Sequence, residues 1–223
     1  MRLVFIIVLS NLFLSAVYAQ SPALTNRELI NIGESLTFIS GVLGEERVIN
    51  VYLPSGYAEN PERSYPVLYL LDGSMDEDFI HIAGLVHFGS FPWIQRNPEF
   101  IVVGIANIDR KRDFTSPSAI EEDLIDLPTS GGSAKFIEFL KTELMPLVDS
   151  TYRTTDDQTL IGQSLGGLVA TEILFNHTHL FDRYIIVSPS LWWDGESLLT
   201  AQPAFEDGLP PVYIAVGAEG EIM

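Results

Sequence analysis

The residues with chemistry in them are Gly162-Gln163-Ser164-Leu165-Gly166-Gly167. They follow the apolar run ending at Ile161 and open a helical pattern that begins near Leu165. A serine at the tip of a sharp strand-to-helix turn is a nucleophile elbow, with its hydroxyl held up for attack on a carbonyl carbon. Gly162 and Gly166 are needed where a side chain would collide with the tight turn or its neighbouring strand. Ser164 then lies at a helix N-terminus, whose partial positive charge favours developing negative charge. The Leu165 N–H is placed to donate to the oxyanion of a tetrahedral intermediate. A second donor is expected from the loop after an earlier central strand, at Leu71-Asp72-Gly73-Ser74. There Gly73 permits a sharp turn that aims the Ser74 N–H at the same oxygen. The competing reading of both motifs is a pair of glycine turns without chemistry.

Strands must carry these turns, and the sequence supplies them. Val67–Leu71, Phe100–Ala106, Thr159–Ile161, Tyr184–Val187 and Val212–Val216 are short apolar runs, as expected of strands buried on both faces. Before them, Glu34–Leu43 and Arg47–Leu53 predict a hairpin turning at Gly44-Glu45-Glu46. Helical spacing appears at Phe79, Ile82, Ala83 and Val86. It recurs in a helix starting near Ser133, at Phe136, Phe139, Leu140, Leu144 and Leu147, and again at Leu168, Val169, Ile173 and Leu174. Alternating strands and helices predict an α/β fold, with a mostly parallel sheet led by an antiparallel hairpin. Ser116 through Gly132 reads as loop. Its acids, Glu121, Glu122, Asp123 and Asp126, read as a solvated face rather than a metal site.

Composition narrows the function. The chain has 223 residues, 47% hydrophobic, which excludes intrinsic disorder. Its net charge of −18 argues against nucleic acid and anionic membrane surfaces as partners. There is no Cys, so disulfides and thiolate metal sites are excluded, and four His leave little for a His-rich site. Residues 1–19 read as a secretory signal: Arg2, an apolar core from Leu3 to Leu14, then Val17-Tyr18-Ala19 before the cut. The competing reading is an uncleaved anchor. Cleavage removes one Arg and no acid, leaving −19 on an exported periplasmic or extracellular chain with no spanning segment.

The chain resembles the α/β-hydrolase-fold esterase family that includes esterase D, the siderophore esterases and the mycolyltransferases. The likeness runs from about residue 34 to the end. It rests on Val51-Tyr52-Leu53-Pro54-Ser55-Gly56-Tyr57, on Tyr65 through Gly73, and on Ile161 through Leu168. Two further stretches, Ser188-Pro189-Ser190-Leu191-Trp192-Trp193 and Asn107 through Thr115, are most similar to the siderophore-esterase branch. The resemblance implies a central sheet with helices on both faces, no cofactor and no metal. It implies Ser164 as nucleophile on a small-molecule ester and the Ser74 and Leu165 amides as oxyanion donors. An acid is implied just past Val216, at Glu221 or Glu219, and a His after one further strand.

That His is absent. His177 and His179 sit at the far end of the helix from Ser164, ~20 Å away at ~1.5 Å per residue. His81 and His87 lie on the helix after the oxyanion loop. The family pattern therefore implies an incomplete copy, with the last strand, the His and the final helix following Met223. The alternative is a short form without hydrolytic activity. Trp192 and Trp193 fit an aromatic wall for the substrate or partial burial in the core. Arg110 and Arg112 fit a grip on an acidic substrate group or ion pairing. Asn176-His177-Thr178 matches a glycosylation sequon, a triplet common by chance. Three functions remain open: ester hydrolysis, with siderophore trilactones, feruloyl or acetyl sugars and simple esters all compatible as substrates; acyl transfer to a hydroxyl acceptor; and non-catalytic binding on a hydrolase scaffold.

Overall fold

The computed structural model describes residues 23–203, 205 and 208–217. The chain divides into two compact units, Met1–Asn31 and Ile32–Met223. In the first, residues 23–31 carry no helix or strand. The expected signal at residues 1–19 lies outside the described residues.

The second unit is built on a seven-stranded sheet. Its strands are β1 (Glu34–Ser40), β2 (Glu45–Tyr52), β3 (Tyr65–Leu70), β4 (Ile101–Ile105), β5 (Thr154–Gln163), β6 (Arg183–Val187) and β7 (Val212–Ala215). The order across the sheet is β1-β2-β4-β3-β5-β6-β7. β1–β2 and β2–β4 are antiparallel, and the remaining pairs are parallel. This is the mixed, mostly parallel α/β sheet read from the sequence.

The continuous apolar runs are explained by two cores. Successive strand residues point to opposite faces. Val67, Tyr69, Leu71, Ile101, Val103 and Ile105 enter the larger core. Leu68, Leu70, Phe100 and Val102 enter the smaller one, with Phe79, Ala83 and Val86 from α1 (Phe79–Gly89). Two short helices follow β4: α2 (Arg110–Asp113) and α3 (Glu121–Asp126). The larger core is covered by α4 (Ser133–Phe139), a π-helical turn at Leu140–Leu144, α5 (Met145–Thr151) and α6 (Leu165–Asn176). Helices therefore cover both faces. Among the described residues no helix is long and apolar enough to cross a membrane.

Three local expectations need correction. The hairpin turns over residues 41–44, and Glu45 and Glu46 belong to β2. A distant carboxylate closes that turn: Glu143 accepts from the Gly41 and Val42 amides at 2.8 and 3.0 Å and from the Ser40 hydroxyl. Glu45 stays in the strand because Arg47 and Arg112 neutralise it. β5 begins at Thr154 rather than Thr159, because its first half is polar and carries no apolar signal. The stretch from Ser116 to Gly132 contains α3. Glu121, Glu122 and Asp126 are solvated as expected, whereas Asp123 is buried and accepts from the Ser118 hydroxyl at 2.7 Å and the Asp194 amide at 2.9 Å.

Candidate active site

Ser164 stands between the end of β5 and the start of α6 with φ 55° and ψ −118°. A non-glycine residue in this region is strained and persists only where its surroundings fix it. Here they do. The Ser164 N–H donates to the Val187 carbonyl at 3.0 Å, and its carbonyl accepts from Leu168 at 2.9 Å and Ser190 at 3.0 Å. The glycines are needed for the packing of the turn. A Cβ on Gly162 would meet the Gly166 carbonyl oxygen at 2.3 Å, and one on Gly167 would meet Pro189 Cα at 3.0 Å.

Leu165 is the first residue of α6, so its amide is among the helix's N-terminal donors without an intrahelical acceptor. The opposite loop is fixed with equal care. A Cβ on Gly73 would lie 2.3 Å from Gly104 Cα, so the loop after β3 crosses β4 backbone against backbone. The Gly73 amide donates to the Ile105 carbonyl at 2.9 Å, and Asn50 Nδ2 donates to the Gly73 carbonyl at 2.8 Å. Ser74 follows. Its hydroxyl accepts from the Asn107 amide at 3.3 Å, while its own amide donates to Glu77 Oε2 at 3.2 Å. The expected oxyanion donor is thus held by a carboxylate. Burial alone would raise the Glu77 pKa. Hydrogen bonds from Asn107 and Ser74, with the charge of Arg110, outweigh this and hold it below the ordinary carboxylate value.

Arg110 joins the two loops. Its Nε and Nη2 donate to Asp72 Oδ1 and Oδ2 at 2.6 and 2.9 Å, and Nη2 also reaches the Gln163 carbonyl at 3.2 Å. Of the two readings of Arg110, the ion pair is the one present, with Nε and Nη2 both on Asp72. Arg112 is likewise engaged, by Glu45 and Asp113. Trp193 is corrected. It is 1% exposed, and its Nε1 donates to the Ser116 carbonyl at 3.0 Å, so it belongs to the core. Trp192 is 54% exposed, edge-on to Trp193.

Sequence reasoning missed Ser190 and Glu77. The Ser190 hydroxyl is buried 3.3 Å from the Ser164 hydroxyl. Only its proximity after folding reveals it. Glu77 had a signal, since Ser74-x-x-Glu77 has capping-box spacing, in which the glutamate reaches back to the serine amide. His177 caps the C-terminal end of α6, and His179 sits in the following turn, where both line a cavity with Lys141. His87 Nδ1 lies 3.0 Å from the Tyr52 hydroxyl. Glu219 and Glu221 lie outside the described residues.

The family described as "Putative esterase" matches residues 40–216, most of the chain and all of the site just described. The chain belongs to this esterase family. It is similar to the ferri-bacillibactin esterase BesA of Bacillus subtilis, 30% identical over 70% of this chain and 58% of that protein. It is also similar to the siderophore triacetylfusarinine C esterase of Aspergillus fumigatus, 35% identical over 43% of this chain and 32% of the relative. Among solved structures, an IroE-like serine hydrolase from Shewanella oneidensis superposes with a TM-score of 0.69 at 36% identity, covering 75% of this chain and 54% of that one. The BES protein from Bacillus cereus gives 0.72 at 28% identity, over 89% and 79% of the two chains. The chain therefore spans little more than half of BesA and of the Shewanella hydrolase. These neighbours share the α/β-hydrolase fold.

Proposed function

We propose that this esterase-family chain is the nucleophile-bearing part of an exported serine carboxylic-ester hydrolase acting on siderophore-type esters. The observation that carries the reading is the Ser164 backbone, held at positive φ between β5 and the first amide of α6. In the reaction, Ser164 Oγ attacks the ester carbonyl as a base takes its proton, and the carbonyl oxygen becomes an oxyanion facing the Leu165 and Ser74 amides. The alcohol leaves with that proton. Water then attacks the acyl-enzyme and releases the acid. Glu221 or Glu219 is the acid assigned to orient a His base, and no described residue is assigned as that base. The siderophore ester class is supported by the names of two relatives, and Trp192 is the exposed aromatic group offered to the substrate.

The test is hydrolysis of p-nitrophenyl acetate, then of a siderophore lactone, by the full-length protein and by its Ser164→Ala variant. Release of p-nitrophenol that vanishes in the variant is the expected result. An unchanged rate in Ser164→Ala removes the serine mechanism. A fluorophosphonate probe, which needs an activated serine, separates this reading from a non-catalytic binder. Adding hydroxyl acceptors and analysing products separates it from acyl transfer.

A further inference from the structure

Glu77 holds the amide proposed above as the second oxyanion donor. Its Oε2 accepts from the Ser74 amide at 3.2 Å, and its Oε1 accepts from Asn107 Nδ2 at 2.9 Å. Asn107 Nδ2 also donates to Asp72 Oδ1 at 2.7 Å, so one amide group ties Glu77 to the Asp72–Arg110 pair. The turn is closed from the other side by the Glu77 amide, which donates to the Ser74 carbonyl at 3.1 Å. One N–H has one proton to give. A carboxylate and an oxyanion compete for it, and two negative oxygens sharing one donor repel each other. Glu77 is solvent-exposed, so it has water to move into. What it leaves behind are its bonds to Ser74 and Asn107.

We propose that Glu77 is a brake on the serine reaction: in the resting site it holds the Ser74 amide, and each turnover must transfer that amide from the Glu77 carboxylate to the oxyanion. The inference rests on the serine-hydrolase reading of Ser164 and adds to it a residue that sets the rate. No bond is made or broken by Glu77, and the proton stays on the Ser74 nitrogen throughout. The carboxyl is held below its ordinary pKa, so it is charged at neutral pH and the brake is on. The competing role is structural, with Glu77 doing no more than closing the Ser74–Glu77 turn. The two roles predict opposite changes. A brake, once removed, speeds the chemical step. A turn-closing residue, once removed, slows it and loosens the loop.

The test compares the full-length wild-type protein with its Glu77→Ala, Glu77→Gln, Asp76→Asn and Ser164→Ala variants. Asp76 is an exposed neighbouring acid that holds no amide, so Asp76→Asn reports the loss of one negative charge alone. The expected kcat order is Ala above Gln above Glu. The rise for Ala is roughly fivefold, the scale of one net hydrogen bond. Asp76→Asn stays at the wild-type rate. Phenylboronic acid, which forms an anionic tetrahedral adduct with a nucleophilic serine, binds Glu77→Ala more tightly by a similar factor. The Ser74 amide proton moves upfield in the Glu77→Ala NMR spectrum as its bond to the carboxylate is lost. Equal or lower kcat and unchanged boronate affinity in both Glu77 variants, with Ser164→Ala inactive, overturn the brake and leave the serine reading standing. A rise in Asp76→Asn equal to that in Glu77→Ala also overturns it, since the cause is then net charge. Absence of both hydrolysis and boronate binding in the full-length wild-type protein, or their survival in Ser164→Ala, overturns the serine reading and the brake with it.

Discussion

Arg110 grips both carboxylate oxygens of Asp72, at 2.6 and 2.9 Å, across 38 positions of sequence. The same guanidinium touches the Gln163 carbonyl, one residue before Ser164. A single planar cation therefore ties the loop after β3 to the turn at Ser164. Lysine has the charge but not the fork. Arg110→Ala is expected to lower kcat at least tenfold and to cost about 1–3 kcal/mol of stability, the exposure of Arg110 reducing what a fully buried pair would cost. Arg110→Lys is expected to fall between. Paired measurements of kcat and Tm check this, since a purely structural role moves only Tm.

Ser190 offers the second prediction. Its hydroxyl lies 3.3 Å from that of Ser164, and its amide holds the Ser164 carbonyl. Ser190→Ala keeps the backbone bond and loses the hydroxyl contact. The rate of fluorophosphonate labelling at Ser164 is expected to fall roughly threefold to tenfold, the scale of one net hydrogen bond. Ser190→Thr, which keeps the hydroxyl, is expected to restore most of the rate.

Gly162→Ala tests the packing of the elbow. The added methyl meets the Gly166 carbonyl oxygen at 2.3 Å, and neither backbone has a flexible end that can move aside. Overpacking of this kind costs about 1–3 kcal/mol. At about 2–4 °C per kcal/mol for a chain of this length, the loss is readable in a thermal melt.

The fourth prediction concerns pH. Glu45 is held below the ordinary carboxylate pKa, first by its hydrogen bond to Arg112 and then by Arg47 and the charges of both, against the opposing effect of burial. A carboxyl whose pKa is lower in the folded than in the unfolded chain adds stability above its unfolded pKa, about 4.5. That stability is lost as pH falls through the folded value. Urea midpoints measured downward from pH 6 are therefore expected to fall more steeply below about pH 4.5 in the wild-type chain than in Glu45→Gln. Identical profiles would show that the Arg47–Glu45–Arg112 cluster carries no linkage.

The elbow was legible in the sequence because everything it needs is local. Glycines two residues either side of Ser164 mark a turn that only glycine permits, between an apolar run and a helical one. The buried strands were legible because Val67–Leu71 and Phe100–Ala106 are apolar without interruption, and two cores demand that. What the sequence hid is contact at a distance. Nothing near Arg110 announces Asp72, so sequence favours an ion pair over a substrate grip without naming the partner that folding brings to it. The β1–β2 turn is shaped by Glu143, about a hundred residues on, and a local reading placed it three residues late. Trp192 and Trp193 are adjacent and alike in type, yet one is in solvent and the other in the core. The Ser74-x-x-Glu77 spacing was readable and went unread.

The Ser164 amide and carbonyl are both bonded to the chain that leaves β6, at Val187 and Ser190. Ser164 is thus fastened to two adjacent strands rather than carried on one. Exposed side chains beyond those anchors, such as Trp192 and Ile108, bear no part of that fastening. They are free to drift in evolution, and on the proposed reading to retune which ester is accepted, while the Ser164 hydroxyl keeps its address.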